Sequence, residues 1–292
     1  MSMKMPSSKA IVFNAAALLV GLSAVIVAIR STLFEPDIPP CTERFSHGVR
    51  MQLAHDDGTP LSVEDLQGRL SNTDWGLMQN ASVVALRTGP AKQALQIRFA
   101  NQPPRTDERS SNDRPGVGFL WSPHDMGRAK SACLAYSVFV PKGFEFGVGT
   151  RLPGLMGAEF DDAATSGRDR QPTFSTRYAW SENGSGDIYA HMPEWQTGRP
   201  LGGKENGFNL TRGRWVSLEQ EVVLNTPGKR DGALRVWIDG KLQLRKADVA
   251  FRQKPTTVIA GVMAEAVPGQ NRAAAKAGDD QIWMTPFEIR WQ

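Results

Sequence analysis

From residue 43 onward the chain alternates apolar and polar positions in short runs, broken by Gly, Pro, Asn and Asp before any long amphipathic helix can develop. The runs "SVVALR", "ALQIRFA", "VGFLW", "ACLAYSVFV", "FSTRYAW", "DIYAHM", "WVSLEQEVVL", "LRVWIDGKLQLRK", "TTVIAGVMAEAV" and "WMTPFEIRW" read as strands. Their spacing predicts an all-β fold, an antiparallel β-sandwich of the jelly-roll type. Asp239-Gly240 in "IDGK" is a favoured hairpin pair. "VEDLQG" predicts one short helical turn, and the polar stretches "NQPPRTDERSSNDRPG" and "EFDDAATSGRDRQP" read as long loops.

One hairpin, "FSTRYAWSENGSGDIYAH", carries an unusual alternation. Side chains of a strand point alternately to its two faces, so Phe174, Thr176, Tyr178 and Trp180 share one face and Ser175, Arg177 and Ala179 the other. Beyond the turn, Ile188, Ala190 and Met192 continue the apolar face while Tyr189 and His191 continue the polar one. The pattern predicts a serine, an arginine, a tyrosine and a histidine gathered on one sheet surface.

The N-terminus follows a different rule. Residues 10 to 29, "AIVFNAAALLVGLSAVIVAI", contain no charged residue and follow Lys4 and Lys9. This length matches one crossing of a hydrocarbon layer about 30 Å thick. The expected organisation is a cytoplasmic tail at 1–9, a transmembrane anchor at 10–29, a Pro-rich linker at 30–42 and one domain at 43–292. The protein would then lie in an inner membrane with its domain in the periplasm. A cleaved signal peptide is the alternative, although Ile26 and Ala28 match a cleavage site poorly.

Charge and cysteine content refine this picture. The net charge of +4 comes from Lys and Arg scattered along the chain, not from the concentrated basic face of a nucleic-acid reader, so no nucleic-acid partner is expected. An acidic substrate needs only a local basic cleft. Cys41 and Cys133 would pair as a disulfide in an oxidising compartment, closing a loop for which the chain-entropy argument gives roughly 4 to 5 kcal/mol. Two unrelated thiols are the other reading.

Several chemistries lack their residues. Sugar hydrolysis requires two carboxylates across one cleft. "EFDDAA" supplies Glu159 and Asp161, but Ala163 or Ala164 stands where a third acid of an alternating triad belongs. No G-x-S-x-G nucleophile elbow occurs. With only two cysteines and four histidines widely spaced, at 47, 55, 124 and 191, a zinc site has no support.

In order along the chain, "TRLPGLMG", the "STR" strand, "IYAH" and "NTPGKRDGALRVWIDG" resemble the signature of polysaccharide lyase family 14 and its alginate- and glucuronan-cleaving members. The resemblance spans roughly residues 80 to 292 and implies a jelly roll that cleaves a uronic-acid polysaccharide by β-elimination, with no metal or organic cofactor required. It places the family's active-site serine and arginine on Ser175 and Arg177, and its first tyrosine on Tyr189. The family's lysine falls on Arg151 and its second tyrosine on His191, two departures from the pattern. Arg177, assisted by Arg151 and Ser175, would neutralise the substrate carboxylate. Tyr189 and His191 would exchange protons. Trp195 is the candidate sugar-stacking residue, whereas Trp180 and Trp237 suit the core. "PGL", residues 153 to 155, reads as a turn. A cell's own exopolysaccharide is a reasonable substrate for a membrane-anchored lyase. A carbohydrate-binding jelly roll without catalysis and an envelope scaffold are the alternatives, and the sequence leaves the oligomeric state open.

Overall fold

A computed structural model of the chain describes residues 38–70, 74–99, 115–123, 126, 129–159, 172–181, 184–202, 207–270 and 280–292. The expected anchor at 10–29, most of the first long polar stretch, Asp161, Ala163, Ala164 and His124 lie outside these residues. Among the described residues no helix is long and apolar enough to cross a membrane.

Residues 39–292 form one compact unit of two antiparallel sheets. The first contains β1 (His47–Arg50), β2 (Ala81–Ala85), β3 (Gln93–Arg98), β5 (Ser131–Phe139), β11 (Trp215–Val223), β12 (Gly232–Ile238), β13 (Lys241–Val249), β15 (Gln281–Met284) and β16 (Glu288–Trp291). Its order is β13-β12-β11-β5-β15-β3-β2, with β16 joining β5 and β1 at one end. The second is ordered β10-β8-β7-β6-β14-β4, from Phe208–Asn209, Ser185–His191, Pro172–Trp180, Thr150–Glu159, Thr257–Ala266 and Val117–Trp121, with β9 (Arg199–Pro200) on β8. Among the described residues the unit also has three short helices, α1 (Cys41–Arg44), α2 (Val63–Arg69) and α3 (Leu77–Asn80). The helix expected at "VEDLQG" is α2, opened by a capping box between Ser62 and Asp65.

Alternation explains the packing. Leu134, Tyr136 and Val138 of β5, Leu218 and Val222 of β11, and Val236 of β12 are buried against Phe174, Tyr178, Trp180, Ile188 and Ala190 of the other sheet. This is the inner face of a sandwich. The β12–β13 hairpin turns at Asp239 and Gly240, both at positive φ (50° and 75°), the conformation that an Asp-Gly pair adopts readily. On the outer side of the first sheet, α1 is held by the Cys41–Cys133 disulfide, with Cα atoms 5.7 Å apart, and by Arg44, whose guanidinium bonds Glu221.

"PGL" is not a turn but lies within β6, where the register against β7 shifts between Leu152 and Leu155. This bulge accommodates Pro153, which has no N–H to give to the ladder. Gly154 meets a second demand, since a Cβ there would stand 2.6 Å from the Thr176 carbonyl carbon and 2.7 Å from Arg177 Cα. Two side chains from the first sheet brace the bulge across the core. Tyr136 donates its hydroxyl to Pro153 O at 2.9 Å. Gln220, fully buried, accepts from Leu155 N–H (2.9 Å) and the Thr176 hydroxyl (2.8 Å), and donates to Thr176 O (2.8 Å).

Candidate active site

The polar face of the β7–β8 hairpin forms as the alternation predicts, and its register is specific. Ser175 stands opposite His191 and Arg177 opposite Tyr189. Directly opposed residues on one sheet face have Cβ atoms roughly 5 Å apart, so these four groups form two adjacent pairs. Arg151 joins them from β6, where it opposes Ala179. Its guanidinium carbon lies 4.5 Å from the centre of the Tyr189 ring, and that of Arg177 lies 5.7 Å from the same centre. Two cations thus share one aromatic ring, a contact favoured by the ring quadrupole. Gly198 completes the enclosure, because a Cβ there would come within 2.8 Å of the Tyr189 hydroxyl.

The face is less open than an exposed strand surface. Ser175 is 2% exposed and Arg177 7%, whereas Tyr189, His191 and Arg151 are half-buried. Arg177 is ion-paired with Glu265 of β14, a residue that the sequence reading did not single out. Its Nε is buried and has no hydrogen-bond partner among the described residues. Arg151 makes no ion pair among the described residues. Its pKa is lowered from the ordinary arginine value, first by burial and then by the Arg177 charge, with Glu265 and Tyr189 opposing the shift. Among the described residues, two guanidiniums against one carboxylate leave the cluster one positive charge in excess, an arrangement able to receive a carboxylate.

The row continues beyond Glu265. That residue opposes Gly118 of β4, and the Trp75 indole lies against Gly118, where a Cβ would come within 2.1 Å of Nε1. Opposed residues share a face, so half-buried Trp75 flanks the Glu265 end. Nothing in the local sequence marked either residue. Trp195 is half-buried and packs on the core, with the Arg199 guanidinium carbon 5.0 Å from its ring centre. Glu159 ends β6, where Thr256 and Thr257 donate to its carboxylate, and it has no part in the cluster. Among the described residues, the one grouping of metal-type ligands is Cys41, Cys133 and Glu219, and its two sulfurs are spent in the disulfide.

Fold and site together define an antiparallel β-sandwich with a part-buried arginine–glutamate pair beside a tyrosine and a histidine on the outer face of one sheet. The sequence profile of the family described as Polysaccharide lyase 14 matches residues 88–287. The chain belongs to that family, and its activity class is polysaccharide lyase. Among solved structures it is similar to the PL-14 alginate lyase from Aplysia kurodai, at 23% identity and a TM-score of 0.63 over 85% of this chain and 100% of that one. It is also similar to the alginate lyase vAL-1 from Chlorella virus, at 19% identity and TM-score 0.59 over 85% and 100%. The endo-β-1,4-glucuronan lyase from the fungus Trichoderma reesei matches at 15% identity and TM-score 0.52 over 85% and 96%. A search of curated protein sequences finds no match to this chain.

Proposed function

We propose that the protein cleaves a uronic-acid polysaccharide of the alginate or glucuronan type by β-elimination on the Arg151–Ser175–Arg177–Tyr189–His191 face. The observation that carries this reading is the placement of two guanidiniums on one tyrosine ring beside the Ser175–His191 pair. The reaction removes the proton on C5, expels the oxygen on C4, and leaves a C4–C5 double bond. C5–H becomes acidic only when the adjacent carboxylate is neutralised, so fixed positive charge at that carboxylate lowers the barrier.

Burial alters the expected division of labour. Arg177 already has a carboxylate partner in Glu265, whereas Arg151 is free of ion pairs among the described residues and half-exposed. Arg151 takes the substrate carboxylate. Arg177, fixed by Glu265, supplies a second positive charge beneath Tyr189. His191 and Tyr189 stand in register with Ser175 and Arg177, close enough for one to remove the C5 proton and the other to protonate the departing oxygen. Arginine remains a cation, so Arg151 transfers no proton. The same reading keeps residues 10–29 as an inner-membrane anchor, the domain in the periplasm, and the cell's own exopolysaccharide as the substrate; the apolar length of that segment supports it.

Mass spectrometry of digests of alginate and glucuronan tests the reaction. Elimination gives products lighter by one water than those of hydrolysis. Arg151→Lys should keep part of the rate and Arg151→Ala little of it. Binding of both polymers without any product would favour the carbohydrate-binding alternative.

A further inference from the structure

We propose that a second groove, built from the sheet opposite the candidate active site, binds a stretch of acidic polysaccharide. The groove has a volume of about 570 Å³ and lies between the end of β1 and the chain that follows it, residues 50–54, the β2–β3 loop and Pro286. Among the described residues the ionisable groups lining it are Arg50, Arg87 and Lys92, all cations, and none of the described carboxylates lines it. None of the three makes an ion pair among the described residues. The strand partner of Arg50, Glu288, is engaged instead by Arg290 Nε at 2.6 Å. In a chain of net charge +4, three cations without an ion pair or a lining carboxylate among the described residues form a local positive field.

The walls are fixed before any ligand arrives. Leu86 N–H bonds Lys92 O at 2.8 Å and closes the loop. Gln93 Nε2 bonds Gly58 O at 3.0 Å, and Met51 N–H bonds Phe287 O at 2.8 Å. The loop rests on an aromatic row across the outer face of the sheet, in which Trp215 and Trp283 flank Phe139 with ring centres 5.8 and 5.6 Å away. Gly89, on the groove rim, lies so near Trp215 that a Cβ would come within 2.9 Å of its Nε1. Ordering such a loop on binding would otherwise cost conformational entropy.

The lining selects the class of ligand. Guanidinium and ammonium groups match carboxylates, while Gln52, Thr88 and Gln93 supply amide and hydroxyl groups for sugar hydroxyls. None of the exposed large hydrophobic side chains among the described residues lines the groove, so it lacks an apolar anchor for a lipid surface. The groove shares only its substrate class with the proposed reaction. Its role would be to hold a long polymer while another stretch occupies the catalytic face, raising the effective concentration there.

Affinity electrophoresis of the full chain through gels containing alginate, glucuronan or neutral hydroxyethyl cellulose tests the groove. It uses a His191→Ala/Tyr189→Phe background to prevent turnover. Both acidic polymers should retard the protein and the neutral one should not, with retardation weakening as salt rises. Adding Arg87→Ala/Lys92→Ala should weaken retardation about ten-fold, as expected for two solvent-facing charge contacts. In the otherwise native chain, the same pair should raise KM on polymer several-fold and leave kcat and the rate on a trisaccharide unchanged. Unchanged retardation and KM would overturn the proposal. So would binding to phosphatidylglycerol vesicles that depends on Arg87 and Lys92 while polymer binding does not. A chain that cleaves nothing yet is retarded through these residues would refute the lyase mechanism and leave the groove standing.

Discussion

Replacing Gln220 with methionine removes the amide that braces the β6 bulge and keeps side-chain length. Gln220 is fully buried and serves three groups: the Leu155 N–H, the Thr176 carbonyl and the Thr176 hydroxyl. The hydroxyl has a second acceptor in Leu155 O at 3.1 Å, so it stays satisfied. The two backbone groups lose their Gln220 bonds. At about 1 to 3 kcal/mol for each buried group left unsatisfied, the loss is roughly 2 to 6 kcal/mol. At about 2 to 4 °C per kcal/mol in a domain of this size, Tm should fall by roughly 5 to 20 °C. The bulge also sets the position of Arg177, which follows Thr176. At a temperature where the variant is fully folded, kcat should still fall by about ten-fold or more, since a displacement near 1 Å in a positioning group can cost about 100-fold. Urea titration followed by tryptophan fluorescence gives the stability, and kinetics on folded protein give the rate. A loss below about 1 kcal/mol with unchanged kcat would show that the bulge does not depend on Gln220.

Other expectations follow from the same geometry. Arg177→Ala should lower turnover on the order of 100-fold and Arg177→Lys rescue it partly, because an ammonium lacks the planar fork; equal rates for both variants would exclude a directional role. Glu265→Gln should destabilise the fold by roughly 3 kcal/mol, read by urea titration, because Arg177 stays buried without its counter-charge. Reduction of Cys41–Cys133 should cost about 2 to 5 kcal/mol in thermal unfolding yet leave the folded enzyme active, since the bridge lies on the opposite sheet. The Asp231 carboxyl is held below its ordinary pKa by hydrogen bonds from the Thr226 hydroxyl and backbone N–H. A depressed folded-state pKa contributes stability above the unfolded value that is lost as pH falls through the folded one. Asp231→Asn should therefore lower Tm at neutral pH and converge with the parent in acid.

The legible parts of this molecule were those set by period-two alternation. The hairpin 174–191 announced both its faces, and the structure pairs Ser175 with His191 and Arg177 with Tyr189 along one of them. Asp239-Gly240 announced its turn. The illegible parts depended on partners remote in the chain. Pro153-Gly154 looks like a turn locally and becomes a bulged strand because Tyr136 and Gln220 reach it across the core. Glu265 reads as an isolated acid in "VMAEAV" until β14 carries it to Arg177. The burial of Ser175 and Arg177 likewise depends on neighbours that alternation cannot name. The surroundings of Trp195 were illegible for the same reason, its half-buried ring packing on the core with Arg199 beside it.

The most direct test of elimination on this face is the initial rise in ultraviolet absorbance when the protein meets alginate or glucuronan, compared with His191→Ala and Tyr189→Phe variants confirmed to be folded. A double bond conjugated to the carboxylate absorbs, whereas hydrolysis leaves no such chromophore. The parent should raise absorbance on at least one polymer, and each variant should lose most of that rate because each lacks one proton-transfer group. Near-parental rates in both variants, or new reducing ends without absorbance in the parent, would contradict the mechanism.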